Sequence, residues 1–156
     1  MPEPQWLNQT EQQTWAAVAG VIMKLPAALD AQLLRDAKLT LFEYFVLSAL
    51  SMADERTMTM SQLAAIVNGS QSRLSNVVKQ LEQRGWVHRE PYPENRRYTN
   101  AVLTDAGWEK VTSAAPDHVA AVRRLLFDPL SAEQVVALRE IGERIVDQVD
   151  PDSQWP

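Results

Sequence analysis

Residues 61–107 decide the reading of this chain: SQLAAIVNG (61–69), SQSRLSNVVKQLEQRG (70–85), then WVHREPYPENRRYTNAVLT (86–104) and DAG (105–107). In the second segment Leu74, Val77, Val78 and Leu81 fall at i, i+3, i+4 and i+7, the spacing of one buried helical face. At about 100° per residue the same helix turns Ser72, Asn76, Lys79 and Gln83 the other way. That outward set is polar and lightly basic, which suits a helix laid in a DNA major groove. Gly85 follows the last apolar turn, where a helix-ending glycine is expected. Residues 86–104 read as two short strands joined by a loop that carries two prolines and the pair Arg96 and Arg97. A solvated amphipathic helix beside a surface hairpin would show the same stripe. The order helix, turn, helix, basic-tipped hairpin favours a winged helix-turn-helix over it.

Charge supports this reading once its distribution is considered. The chain of 156 residues carries a net charge of −5, yet residues 70–98 alone sum to +3 and the remainder to −8. A positive patch on an acidic body can engage phosphates while the body limits indiscriminate binding. Hydrophobic residues make up 46%, enough for a core, and no run reaches the ~18 uninterrupted apolar residues of a membrane span. The beginning, MPEPQWLNQTEQQTW, lacks the basic and apolar regions of a secretory signal. Cysteine is absent, which removes disulfides, thiolate chemistry and cysteine metal ligands. These features fit the cytoplasm.

Outward from the reader, residues 8–35 form a long helical pattern with Trp15, Val18, Ile22, Leu25, Leu29 and Leu33 in register; Pro26 predicts a kink near Ile22. Thr40 and Glu43 make a capping box for a helix to Met52, and residues 53–59 (ADERTMT) read as a polar turn before a helix capped by Ser61. Thr104 opens another long helix, which Pro116 is expected to bend or break. Ser131 and Gln134 cap the last one, striped by Val135, Leu138, Ile141, Ile145 and Val149, and the tail from Asp150 onward is expected to fray. The fold class is therefore mainly α with a small β-hairpin. Residues 39–103 form the reader, and residues 8–38 and 104–149 are helices whose stripes need a second subunit to cover them.

The whole order resembles the MarR family of transcriptional regulators. The residues that carry the likeness are LTLFEYFVLSAL (39–50), MTMSQLAAIV (58–67), SRLSNVVKQLEQRGWVHRE (72–90), the wing ENRRYTNAVLTDAG (94–107) and VRRLLFDPLSAEQ (122–134). The resemblance implies a homodimer with intertwined terminal helices on a pseudo-palindromic operator, commonly a repressor released by a small, often aromatic, ligand. One departure stands out. The family's wing commonly has Asp-x-Arg, and this chain has Asn95, Arg96 and Arg97, so the turn can form but an ion pair from its first residue cannot.

Candidate DNA contacts follow from side-chain chemistry. Arg97, with Arg96 beside it, suits the negative potential of a minor groove. Gln71, Arg73 and Asn76 can make bidentate contacts to base edges; Ser72 and Lys79 more often bind phosphate, as can Arg73 from its flank position. Ser70 reads as a helix cap more than a base contact, and Ser61 as a cap whose helix terminus also faces a phosphate. Trp15, Met23, Tyr44, Phe45 and Met52 are candidates to line an effector pocket, against ordinary core packing. His88 and His118 lie far apart with no HExxH, so no metal site or cofactor is expected, and no catalytic constellation is present. A reading from another class, a winged-helix module that binds protein, is disfavoured by the basic wing tip.

Overall fold

The computed structural model describes residues 4–152. Nine elements carry the architecture: α1 (Gln9–Ala37), α2 (Leu41–Met52), β1 (Thr57–Thr59), α3 (Met60–Ile66), α4 (Gln71–Gln83), β2 (Val87–Pro91), β3 (Thr99–Leu103), α5 (Asp105–Val122) and α6 (Ala132–Val149). Helix α6 is followed by a turn at residues 151–152, and the last part of the tail expected to fray, residues 153–156, lies outside the described residues.

The core is assembled where α2, α3 and α4 meet the end of α1, the sheet and the first half of α5. Leu33, Leu47, Leu50, Leu63, Leu74 and Leu81 are fully enclosed there. Caps fix where the helices begin. Asn8 with Glu11, Thr40 with Glu43 and Ser131 with Gln134 form reciprocal capping boxes, and Thr104 receives the Gly107 N–H. Glu43 is buried despite its charge. It accepts the Thr40 N–H at 2.8 Å and lies 3.6 Å from the Arg84 guanidinium, so its carboxylate is both bonded and paired.

The coordinates keep the expected β2–β3 hairpin, add a strand to it, and correct the readings of residues 53–59 and of Ser61. The sheet has three strands in the order β1-β3-β2, all antiparallel, because Thr57–Thr59 pairs with β3 from Thr57 opposite Val102 to Thr59 opposite Asn100. The supposed polar turn is thus a 3₁₀ turn, Asp54–Arg56, followed by a strand too short to show a period of its own. Ser61 does not cap α3. Thr59 does, accepting from the Gln62 N–H at 3.2 Å while Gln62 Oε1 accepts the Thr59 N–H at 3.0 Å, so T-x-x-Q was the box to read. Pro26 and Pro116 interrupt neither α1 nor α5. Both prolines are exposed, where water can satisfy the carbonyl each leaves without a donor. The break falls later, after a π-helical turn at Arg123–Phe127 closed by the Asp128 N–H onto the Arg123 carbonyl at 2.8 Å.

The terminal helices are apolar yet largely uncovered. No residue of α6 is buried, and Trp15, Ile22 and Met23 of α1 are all exposed. By length and composition α1 could cross a membrane, but its last third is core, with Leu29, Gln32, Leu33 and Ala37 buried. In α5 the inward face is Gly107, Val111, Ala114, His118 and Ala121, while Val119, and Leu125 in the π-helical turn that follows, stay outside.

Candidate nucleic-acid interface

The second helix of the helix-turn-helix, α4, is fixed at both ends and along one face. Ser70 Oγ accepts the Arg73 N–H at 3.2 Å. At the other end Gly85 sits at φ 75°, the Gly85 N–H reaches the Glu82 carbonyl at 2.9 Å and the Trp86 N–H reaches the Leu81 carbonyl at 3.0 Å. This double closure needs a left-handed residue, which glycine supplies without strain. Leu74, Val78 and Leu81 are fully buried. With that side locked, Gln71, Ser72, Asn76, Lys79 and Gln83 are left exposed.

The wing is a short hairpin with a self-bonded tip. The Tyr92 N–H bonds the Tyr98 carbonyl at 3.0 Å, and Asn95 Oδ1 accepts the Arg97 N–H at 3.1 Å, the local turn expected of Asn95. Tyr92 and Tyr98 meet edge to face with ring centroids 6.5 Å apart. The Tyr92 hydroxyl donates to Glu94 at 2.9 Å, which holds the phenol above its ordinary pKa. Arg96 and Arg97 are exposed at this tip and join no ion pair among the described residues.

Between α4 and the wing lies a concave surface of about 460 Å³. It gathers Ser61, Gln71, Ser72 and Arg97 of the expected contacts, together with Thr59, Ser75, Arg89, Tyr98 and Thr99. Asn76 and Lys79 continue the outward face of α4, and Arg96 stands on the wing tip. Ser70 is the cap, as its sequence position suggests. Arg73 is turned elsewhere: its guanidinium lies 4.0 Å from the Phe42 ring centroid, over a second groove of about 600 Å³ beside Pro26, Asp30 and Val77.

Arg89 was missed as a site residue, although the alternation along β2 places it on the side of buried Val87, facing α4. Its Nε donates to Glu82 at 3.0 Å, Nη2 lies 2.8 Å from the same oxygen as an ion pair, and its backbone N–H donates to the other Glu82 oxygen at 2.8 Å. Desolvation pushes the Glu82 carboxyl up, but the Arg89 bonds outweigh it and hold the group below the ordinary carboxylate range.

The five candidate ligand residues differ widely in burial within one protomer. Trp15, Met23 and Met52 are exposed at 59%, 75% and 73%, while Tyr44 is buried against His118 with ring centroids 4.4 Å apart. Phe45 is half-buried and lines both the groove beside Arg73 and one of about 500 Å³ with Ile66, Ile145 and Val149. His118 Nδ1 lies 3.3 Å from Gln32 Oε1, and burial pushes the imidazole pKa down. Among the described residues no three His, Cys, Asp or Glu side chains group to hold a metal ion.

Known proteins share both the sequence and this geometry. The sequence profile of the MarR family matches residues 39–99. A MarR family transcriptional regulator from Streptomyces coelicolor, solved in complex with DNA, superposes with a TM-score of 0.92 at 38% identity over 99% of both chains. AbsC, a MarR family transcriptional regulator from the same organism, gives a TM-score of 0.89 at 34% identity, covering 96% of this chain and 100% of its own. The HTH-type transcriptional regulator PecS of Dickeya dadantii is 28% identical over 132 residues, 82% of this chain and 79% of PecS. With a capped reading helix, a basic wing and these likenesses over nearly its full length, the chain belongs to the MarR family and is a DNA-binding transcriptional regulator.

Proposed function

We propose that this regulator works in the cytoplasm as a homodimeric repressor on a pseudo-palindromic operator. The observation that carries the DNA geometry is the meeting of Ser61, Gln71, Ser72 and Arg97 on one concave surface. In this reading α4 enters the major groove. Gln71 and Asn76 address base edges, while Ser72 and Lys79 hold phosphates. Ser61 takes a phosphate near the start of α3, and Ser70 serves as the cap of α4. Arg73, stacked on Phe42, suits a flanking phosphate better than a base. Arg96 and Arg97 reach the neighbouring minor groove, where a guanidinium meets the most negative potential.

Dimerisation is supported by the uncovered apolar faces of α1 and α6. Each large apolar side chain removed from water stabilises an assembly by ~1.5–3 kcal/mol, and these two faces offer many. Twofold pairing through them would set the two copies of α4 about one DNA turn apart, ~34 Å. The small-ligand release that the family likeness implies would use a groove beside Phe45, the candidate that lines two of them.

The test separates positioning from reading. Arg97→Ala is expected to weaken binding to every duplex, with a shallower salt dependence. Asn76→Ala is expected to relax preference at one base pair per half-site by ~1–3 kcal/mol. Wild-type affinity should fall by orders of magnitude between ~50 and ~200 mM salt. A flat salt response, or an unchanged ranking of mutated duplexes after Asn76→Ala, would contradict these assignments.

A further inference from the structure

The cations facing the concave surface are not equivalent. Arg97 stands without an ion-pair partner among the described residues, whereas Arg89 is held from several directions at once. Nε donates to one Glu82 oxygen with Nη2 ion-paired to the same atom, the backbone N–H donates to the other, and Nη1 donates at 3.4 Å to Ser75 Oγ on the same helix. Glu82 and Ser75 belong to α4 and Arg89 to β2, so the arrangement ties the reading helix to the root of the wing. The Arg89 side chain nevertheless keeps 32% of its surface exposed and lines the concavity with Gln71 and Ser72. A pair this open adds little to fold stability. Its consequence is geometric: a free arginine sweeps a wide arc and meets a phosphate of any duplex, while a clamped one offers only the edge left open beside Ser75.

Resting on the reading of α4 and the wing as the DNA surface, we propose that Glu82 is a positioning residue for DNA selectivity. It fixes Arg89 at the floor between helix and wing, so that the guanidinium meets a backbone phosphate only when α4 is seated in its own register. It also cancels a charge that would otherwise draw in unrelated DNA. The hydrogen bonds that keep Glu82 ionised keep this clamp in force across the neutral range.

The experiment uses the full chain and two duplexes of equal length, one selected by the wild-type protein from a randomised library and one unrelated. Glu82→Gln should tighten the unrelated duplex about fivefold and steepen its salt slope by roughly one per half-site, since one more cation is free to meet phosphate. The ratio of the two affinities should fall about tenfold. The double variant Glu82→Gln/Arg89→Gln should bring the unrelated duplex back to wild-type affinity. Arg89→Lys, which keeps the charge and loses the planar fork, should weaken the selected duplex while sparing the unrelated one. Loss of affinity for both duplexes in parallel with a lowered Tm would make Glu82 a fold support only and overturn the proposal, as would an unchanged ratio and slope. A wild-type protein that enriches no duplex would instead remove the DNA surface on which the proposal stands.

Discussion

The reading domain and the terminal helices handle their apolar residues in opposite ways. In the reading domain Leu47, Leu50, Leu63, Leu74, Val78 and Leu81 are sealed from water. In α6 nothing is sealed, and Ile141, Ile145 and Val149 stay 54%, 52% and 79% exposed. One protomer therefore closes the part that reads DNA and leaves open the part proposed to set the spacing between two readers. Folding of the reader and pairing of the ends become separable properties, and substitutions in the two regions should separate them.

The largest effects are expected in the closed region. Leu81→Ala should cost ~2–5 kcal/mol, from lost transfer energy plus the cavity left behind. Gly107→Ala belongs with it: a Cβ there would run into the Trp86 carbonyl and stand 2.6 Å from Leu103 Cδ1, so backbone has to move. Thermal melts should show both losses whatever the protein concentration. In the open region Leu138→Glu should leave the circular dichroism of the reader intact. In the proposed dimer it should raise the dissociation constant at least tenfold, about 1.4 kcal/mol, and weaken operator binding without touching DNA. Sedimentation that finds an undiminished dimer with full operator affinity would break the comparison.

The smallest effect lies at the border of the two regions. His118 on α5 is enclosed by Gln32 of α1 and Tyr44 of α2, and burial lowers its pKa from 6.5. A histidine depressed in the folded state takes up protons preferentially when unfolded. Stability is then fully present above about 6.5 and declines as pH falls from there through the folded pKa. The Tm of the wild type should drop on acidification across this window. His118→Gln, which keeps a hydrogen-bonding group facing Gln32, should flatten that part of the curve. An identical slope in both proteins would place the proton uptake elsewhere.

How legible these regions were in the sequence depends on how local their causes are. The stripe of α4, its glycine end, the Asn95 turn and the capping boxes at Thr40 and Ser131 are set within a few residues, and they stand where the pattern puts them. The strand Thr57–Thr59 was hidden because its partner lies some forty residues downstream, and three residues show no period. Arg89 was hidden in a similar way, its role arising from Glu82 across a turn. Arg73 was placed on the flank of the reading face by helical geometry, and only the Phe42 ring on another helix draws it away. The five proposed pocket residues share a chemical character, which says nothing of whether tertiary packing brings them together.

Thr104 has a mechanical meaning. Its hydroxyl donates to the Gly85 carbonyl at 2.6 Å and accepts the Gly107 N–H at 3.0 Å, while its own N–H bonds the Trp86 carbonyl at 3.0 Å. One residue thus pins the tail of the reading helix, the root of the wing and the head of α5, with Gly107 admitted close enough only because it has no side chain. A coupling of this kind has no slack. If α5 swivels, the reading helix and wing must swivel with it as a single lever, or the Thr104 bonds must part. In the proposed dimer, movement among the terminal helices would then arrive at the DNA as a change of angle and spacing between two intact reading heads, with neither one unfolding.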